Sequence, residues 1–188
     1  MASRINADSS NGLQLVSDSS GEVQIQSNGV TVATINSSGL SMNSGTLAGN
    51  GPAFSAYNNG TQSVSGSTDT KVVFNTEEFD TNSNYDNTTN YRFTPTVAGY
   101  YQFNTNVYHS GAAYAYITLV FYKNGAALAE VDRISYTGQA EMNGSALIYL
   151  NGSTDYVEVY SRSQGASITL GASDKRFMNF SGYLVRAV

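Results

Sequence analysis

His109 is the only histidine in the 188-residue chain, and there is no cysteine. Those two counts remove most reaction chemistry. No disulfide, thiolate metal ligand or thiol nucleophile can form. A Ser-His-Asp triad needs a histidine beside a nucleophile and an orienting carboxylate. His109 stands next to Ser110-Gly111 at the end of an alternating run and reads as a loop histidine. Paired carboxylates are the other route, as in glycoside hydrolysis. Glu77 and Glu78 are adjacent. Neighbours on an extended chain point to opposite faces, so these two cannot flank one bond. Asp132-Arg133 and Asp174-Lys175-Arg176 read as surface charges. The chain is therefore expected not to be an enzyme.

Metal chemistry has one opening. Asp80, Asn82, Asn84 and Asp86 place oxygen side chains at alternate positions, like the start of a calcium loop. Tyr85 stands where such a loop needs glycine, and Tyr91 where it needs glutamate, so the pattern breaks. The expectation is no cofactor and no metal, with Asp80 and Asp86 the weak candidates for holding calcium. Asn59-Gly60-Thr61, Asn87-Thr88-Thr89 and Asn179-Phe180-Ser181 fit the glycosylation pattern. In a chain this rich in Asn, Ser and Thr such matches arise by chance.

Composition excludes further classes. Only 12% of residues are charged, the net charge is −5, and three Lys and six Arg are scattered along the chain. A nucleic-acid binder needs a basic face, and none is legible. No apolar run approaches the ~20 residues of a membrane span. The opening residues, Met1 to Asn6, lack an apolar signal-peptide core, so no ordinary secretion signal is expected.

The elements that must position any site fall into two blocks. All 22 aromatic residues, 14 Tyr and 8 Phe, lie between Phe54 and Tyr183. Residues 1–52 are rich in Ser, Asn, Gly and Thr, with Arg4 their one basic residue. Within them Leu13/Leu15, Val23/Ile25, Val30/Val32 and Leu40/Met42 flank single polar residues, and Asn28-Gly29 is a hairpin signal. This predicts four very short strands. Each carries too few apolar side chains to offset ordering ~50 residues at ~1–2 kcal/mol apiece. The segment is expected to order only in an assembly.

Residues 53–188 read as all-β, without a sustained 3.6-residue period. Alternating runs cover Lys71–Phe74, Tyr91–Phe93, Tyr100–Tyr108, Tyr114–Tyr122, Ala146–Leu150, Tyr156–Tyr160, Ile168–Leu170 and Phe180–Val185. Turns are expected at Asn124-Gly125, Asn143-Gly144 and Asn151-Gly152. Many short strands with regular turns mean a sandwich or barrel. Tyr101, Phe103 and Val107, and then Ile117, Leu119 and Phe121, are predicted to face the core.

The order of several short motifs resembles a known family. They are Ala53-Phe54-Ser55-Ala56, Val73-Phe74, Asn84-Tyr85-Asp86, Phe93-Thr94-Pro95 and Gly99-Tyr100-Tyr101-Gln102-Phe103. Lys123-Asn124-Gly125, Leu150-Asn151-Gly152, Asp155-Tyr156-Val157 and Phe180-Ser181-Gly182-Tyr183-Leu184 follow. Together they are similar to the globular head of complement component 1q. The resemblance implies a ten-stranded jelly-roll sandwich of the complement 1q and tumour necrosis factor type, assembled as a homotrimer. The family's collagen-like stalk is missing. In its place, Gly12 to Ile25 resembles the Ser/Gly-rich β repeats of bacteriophage virion proteins.

One aromatic face remains to be accounted for. Tyr114, Tyr116, Val120 and Tyr122 oppose the core residues of their strand, and Tyr156 and Tyr160 oppose Val157 and Val159. A second apolar face suits an interface. These six residues are the expected trimer contact. Phe79, Tyr85 and Tyr136 are the receptor-loop candidates, because they sit in long polar stretches.

The resulting expectation is a structural virion surface protein of a bacteriophage, a short homotrimeric tail or head fibre. Residues 1–52 would anchor it to other virion proteins. Residues 53–188 would face outward toward a host-surface glycan or protein. The alternatives are a capsid decoration protein that binds no host and a secreted complement 1q-like recognition protein.

Overall fold

The computed structural model describes residues 21–37, 39–42, 51–111, 114–135, 138–171 and 177–188. Among these the structure is all strand and turn, with no helix. The chain divides into two units between Asn50 and Gly51.

In the first unit β1 (Val23–Ser27), β2 (Val30–Asn36) and β3 (Gly39–Met42) form an antiparallel sheet in that order. The predicted strand around Leu13 and Leu15 lies outside the described residues. Asn28 and Gly29 turn the first hairpin, both with positive φ. That is the geometry Asn-Gly is selected for, since glycine has no Cβ to clash and asparagine tolerates it. The register places Val23 opposite Ile35, Ile25 opposite Ala33, and Leu40 beside Ile35. One face is thus apolar. On the other, Gln24 accepts hydrogen bonds from Thr31 (3.0 Å) and Gln26 (3.3 Å). Ile25, Val30, Leu40 and Met42 are exposed.

The second unit is a two-sheet sandwich. Its strands are β4 (Ala53–Tyr57), β5 (Gln62–Val64), β6 (Thr70–Lys71), β7 (Thr76–Asp80), β8 (Tyr85–Asp86) and β9 (Arg92–Phe93). They continue with β10 (Gly99–Gly111), β11 (Tyr114–Lys123), β12 (Ala126–Ile134), β13 (Gly138–Leu150), β14 (Val157–Gly165), β15 (Ile168–Leu170) and β16 (Met178–Ala187). In the front sheet β10 pairs along its whole length with β13. On its other edge β10 pairs with β16 and then β15, and β4 and β7 continue beyond β16. The back sheet runs β12-β11-β14-β9-β8, with β6 also on β14.

Alternation builds the core. Tyr101, Phe103 and Val107 of β10 and Ile117, Leu119 and Phe121 of β11 are all fully buried, as their period-2 pattern predicts. Phe180 meets Phe54 (4.9 Å), Phe74 (5.7 Å), Phe103 (5.8 Å) and Phe121 (6.0 Å) between ring centroids. Each such ring contributes about 1.5–3 kcal/mol on burial. Gly182 sits over this cluster. A Cβ there would lie 2.6 Å from Phe103 and 3.0 Å from Phe54.

Two local expectations change. Asn143-Gly144 is not a turn but the middle of β13, where Asn143 pairs with Asn106 and Gly144 with Thr105. The glycine makes room: a Cβ on Gly144 would lie 2.2 Å from the Val131 side chain. The segment 126–134, too weakly alternating to be read as a strand, is β12. Its pairing with β11 slips twice, between Leu119 and Val120 and between Phe121 and Tyr122. Those bulges hide the period in the sequence. Asn124-Gly125 and Asn151-Gly152 do turn the chain, with Asn124, Gly125 and Gly152 at positive φ.

Candidate functional site

β10, β13 and β16 send alternate side chains away from the core, onto the front face. There Tyr100 pairs with Tyr149, and Gln102 lies between Leu147 and Tyr183. Tyr100 and Tyr149 pack with ring centroids 5.6 Å apart. Leu147 (59% exposed), Val185 (53%) and Tyr183 (50%) complete a solvent-facing apolar cluster. Tyr100, Leu147, Val185 and Arg186 line one shallow hollow in it. Further along the same strands the face turns polar. Asn104, Asn106, Asn143, Ser145 and Asn179 line a second hollow there.

The sequence reading did not find this cluster, although a signal was present. Ala146-Leu147-Ile148-Tyr149-Leu150 and Tyr100-Tyr101 are apolar without a break, the mark of a strand covered on both faces. Large exposed apolar clusters on a soluble domain mark contact surfaces.

The back face carries the tyrosines expected at the trimer contact. Tyr122 and Tyr160 stack with centroids 3.9 Å apart. Arg133 lies 4.2 Å over the Tyr116 ring, and Arg92 lies 4.1 Å over the Tyr156 ring. Val120 pairs with Tyr160 and is half-buried. Each of these rings already has a partner from its own chain. The Tyr114 side chain is outside the described residues. Arg133 forms its ion pair with Glu130, not with its neighbour Asp132.

The loop from Thr76 to Asn90 needs one correction. Tyr85 is no receptor residue: it is buried, stacks on Phe54 at 4.9 Å, and donates its hydroxyl to the Phe74 carbonyl at 3.1 Å. Burial pushes its phenol well above the ordinary value. Its place in a polar stretch concealed that it plugs the end of the sandwich. Phe79, in contrast, is half exposed. Tyr136 lies outside the described residues.

Asp80 and Asp86 hold this loop together. Asp80 accepts from the amides of Asn82 (3.2 Å) and Tyr85 (2.6 Å). Asp86 accepts from the amides of Thr88 (3.0 Å), Thr89 (2.9 Å) and Asn90 (3.2 Å), and from the Asn90 side chain (2.6 Å). Those donors hold the Asp86 carboxyl far below the usual carboxylate range. Such side chain-to-backbone turns give the Asp/Asn spacing a structural role. No group of three or more potential ligands converges among the described residues.

A family model for the C1q domain matches residues 53–185. The chain belongs to the C1q domain family. Solved structures of low identity share the fold. The globular domain of zebrafish complement 1qA superposes with a TM-score of 0.53 at 18% identity, covering 73% of this chain and 99% of that one. Eiger TNF from S. frugiperda gives 0.55 at 12% identity, covering 73% and 93%. PRD1 vertex protein P5 gives 0.52 at 14% identity, covering 72% and 97%. No curated protein sequence matches the chain significantly.

Within the C1q domain the family-like motifs now have physical roles. Asn124 donates to Asp155 at 2.7 Å and accepts from the Tyr156 amide at 2.9 Å. Lys123 pairs with Asp155 at 2.9 Å. Asn151 accepts from the amides of Ser153, Thr154 and Asp155, each at 3.0 Å. These polar clasps lock the β11–β12 turn to the β13–β14 turn.

His109, expected in a loop, is instead fully buried in β10, opposite Ala140 of β13 and Leu170 of β15. Burial pushes its imidazole below the ordinary value. The unfolded chain takes up a proton near pH ~6.5, whereas the folded C1q domain takes it up only at lower pH. Stability therefore falls as pH drops through that window, and the loss is complete below the folded value. The melting temperature is expected to drop as the pH is lowered from about 7 through the ordinary histidine range, and His109→Asn to flatten that slope. An unchanged slope in the variant would assign it to other groups.

Proposed function

We propose that this chain is a structural protein on the surface of a bacteriophage particle, a homotrimer whose C1q head faces outward to attach to the host. The trimer forms through the front sheet, and not through Tyr116, Tyr122, Tyr156 and Tyr160 of the back sheet. The observation that carries this is the exposed cluster of Tyr100, Leu147, Tyr149, Tyr183 and Val185. The cluster lies on a face with few charges, Glu141 and Arg186 among them, and depletion of charge marks the core of an interface. The back-sheet rings, in contrast, are already stacked or capped within one chain.

A threefold closure gives each copy the same contact and leaves no open end. The virion setting is supported by the sequence resemblance of residues 12–25 to the Ser/Gly-rich β repeats of bacteriophage virion proteins and by the fold shared with PRD1 vertex protein P5. Residues 1–52 serve as the particle anchor. Their short sheet exposes Ile25, Leu40 and Met42, which a particle protein or sister chains would cover.

Three measurements test the reading: solution mass, particle content, and competition by soluble protein for host adsorption. Light scattering at micromolar concentration is expected to give three times the chain mass. Mass spectrometry of purified particles, with gold labelling of the head, is expected to find the chain at the surface. A monomer mass would overturn the trimer. Absence from particles would overturn the virion role. Particles that carry the chain, with no competition by soluble protein for host adsorption, would convert fibre to capsid decoration.

A further inference from the structure

The two slips in the β11–β12 pairing are bulges, which bend a strand, and β12 lines a groove beside β11. The groove has a volume of about 350 Å³. Its floor is β11, where Tyr116, Thr118, Val120 and Tyr122 point outward. One wall is β12, with Leu128, Glu130 and Arg133. The other is formed by Asp69, ahead of β6, and Arg162 of β14.

The polar groups here are held in place. Arg133 grips Glu130 through two hydrogen bonds, Nε to Oε1 at 2.7 Å and Nη2 to Oε2 at 2.8 Å. That grip holds the Glu130 carboxyl below its ordinary value, so it is ionised at neutral pH. The Arg162 guanidinium reaches Gln164 at 3.2 Å and lies 3.9 Å from the Asp69 carboxylate. Two arginines thus face two carboxylates, and the lining carries no net charge. Apolar surface lies between them: Leu128 is half exposed, and the Tyr122 ring is backed by Tyr160.

We propose that this groove binds a neutral oligosaccharide. A sugar ring offers an apolar face of C–H groups and an edge of hydroxyls. The apolar face matches Leu128, Val120 and the part of the Tyr122 ring that Tyr160 leaves uncovered, and adjacent hydroxyls match planar carboxylates and guanidinium forks. Fixed polar groups beside aromatic surface are the usual makeup of a selective site. The charge balance decides the ligand class. Arg133 is committed to Glu130, and Asp69 at 3.9 Å balances the charge of Arg162, whose hydrogen bond goes to Gln164, so an anionic ligand would meet a carboxylate beside each arginine. A cationic ligand would need an uncommitted carboxylate. A polyhydroxylated neutral chain needs no uncommitted charge. The groove follows the open face of the back sheet, which suits an extended ligand. The proposal rests on the outward-facing head described above, since self-association through the front sheet leaves this face open three times per assembly. Three weak sites on one assembly then raise avidity through effective concentration.

The test uses the full chain. A printed array of neutral and acidic oligosaccharides of two to eight sugars identifies a binder, which is then titrated by calorimetry. A neutral binder is expected, and Asp69→Ala and Leu128→Ser are each expected to weaken it about tenfold, the value of one charge-assisted hydrogen bond or a similar apolar loss. Both side chains are about half exposed, so the melting temperature should hold, and Thr89→Ala, outside the groove lining, should bind normally. In the unaltered chain the Leu128 and Val120 methyl signals should shift on adding the sugar. No neutral binder, binding only of acidic glycans, or full binding by both groove variants would overturn the proposal. Glycan binding by a chain absent from particles would overturn the virion reading alone. Particles that carry the chain without glycan binding would overturn the groove alone.

Discussion

Phe180→Ala is expected to destabilise the C1q head by about 3–5 kcal/mol, enough to remove most or all of the stability of an ordinary domain. Phe180 is fully buried on β16 and touches rings from both sheets. Phe54 stands edge-on to it at 4.9 Å, and Tyr85 lies at 6.0 Å, also edge-on. Removing the ring deletes its own burial and leaves a void that four other phenylalanines and Tyr85 line. Those neighbours are fixed in strands and cannot collapse into it. Urea unfolding followed by far-ultraviolet circular dichroism gives the measurement. Phe79→Ala is the contrast, because that ring is half exposed on β7 and its loss should cost under about 1 kcal/mol. Equal losses in the two variants would mean that the ring cluster is not the centre of the fold.

Leu147→Asp is expected to convert the assembly to monomers at micromolar concentration while leaving the head folded. The side chain is 59% exposed in the single chain and points away from the core, so folding does not depend on it. In the proposed trimer it is buried beside Tyr100 and Val185. Arg186 lines the same hollow, but burying a new charge in an apolar contact costs several kcal/mol per copy unless its geometry and remaining hydrogen bonds are well satisfied. Three copies repeat the cost around the axis. Analytical ultracentrifugation reads the mass and circular dichroism the fold. Val120→Asp on the back sheet should leave the mass unchanged. If Val120→Asp dissociates the assembly and Leu147→Asp does not, the contact lies on the tyrosine face that the sequence pattern first suggested. Because assembly and folding are linked, the melting temperature of the unaltered chain should rise with concentration, and that of Leu147→Asp should not.

Some of this protein was decided by sequence alone. Period-2 alternation places Tyr101, Phe103, Ile117, Leu119 and Phe121 inside, because the inward face of a strand leaves no alternative for such rings. Asn28-Gly29 and Asn124-Gly125 were legible as turns, since few other residues accept positive φ twice in succession. The absence of cysteine by itself excludes disulfides and thiol chemistry. The order of short motifs from Ala53 to Leu184 was enough to indicate the jelly roll.

Other features waited for the tertiary structure, because they depend on which strands become neighbours. Asn143-Gly144 has the composition of a turn, but Val131 packing against the glycine makes it mid-strand. Tyr85 lies among polar residues in sequence and among phenylalanines in space. His109 borders glycine and serine in sequence, and two strands remote in the chain bury it. Alternation also shows that the β11 tyrosines face outward, but it does not show whether an outward ring is free. That was decided by Tyr160, Arg92 and Arg133, which come from other strands to cover Tyr122, Tyr156 and Tyr116. Strand pairing likewise gathered Tyr100, Leu147, Tyr149 and Tyr183 into one exposed cluster, since residues more than 80 positions apart meet only when β16 docks on β10.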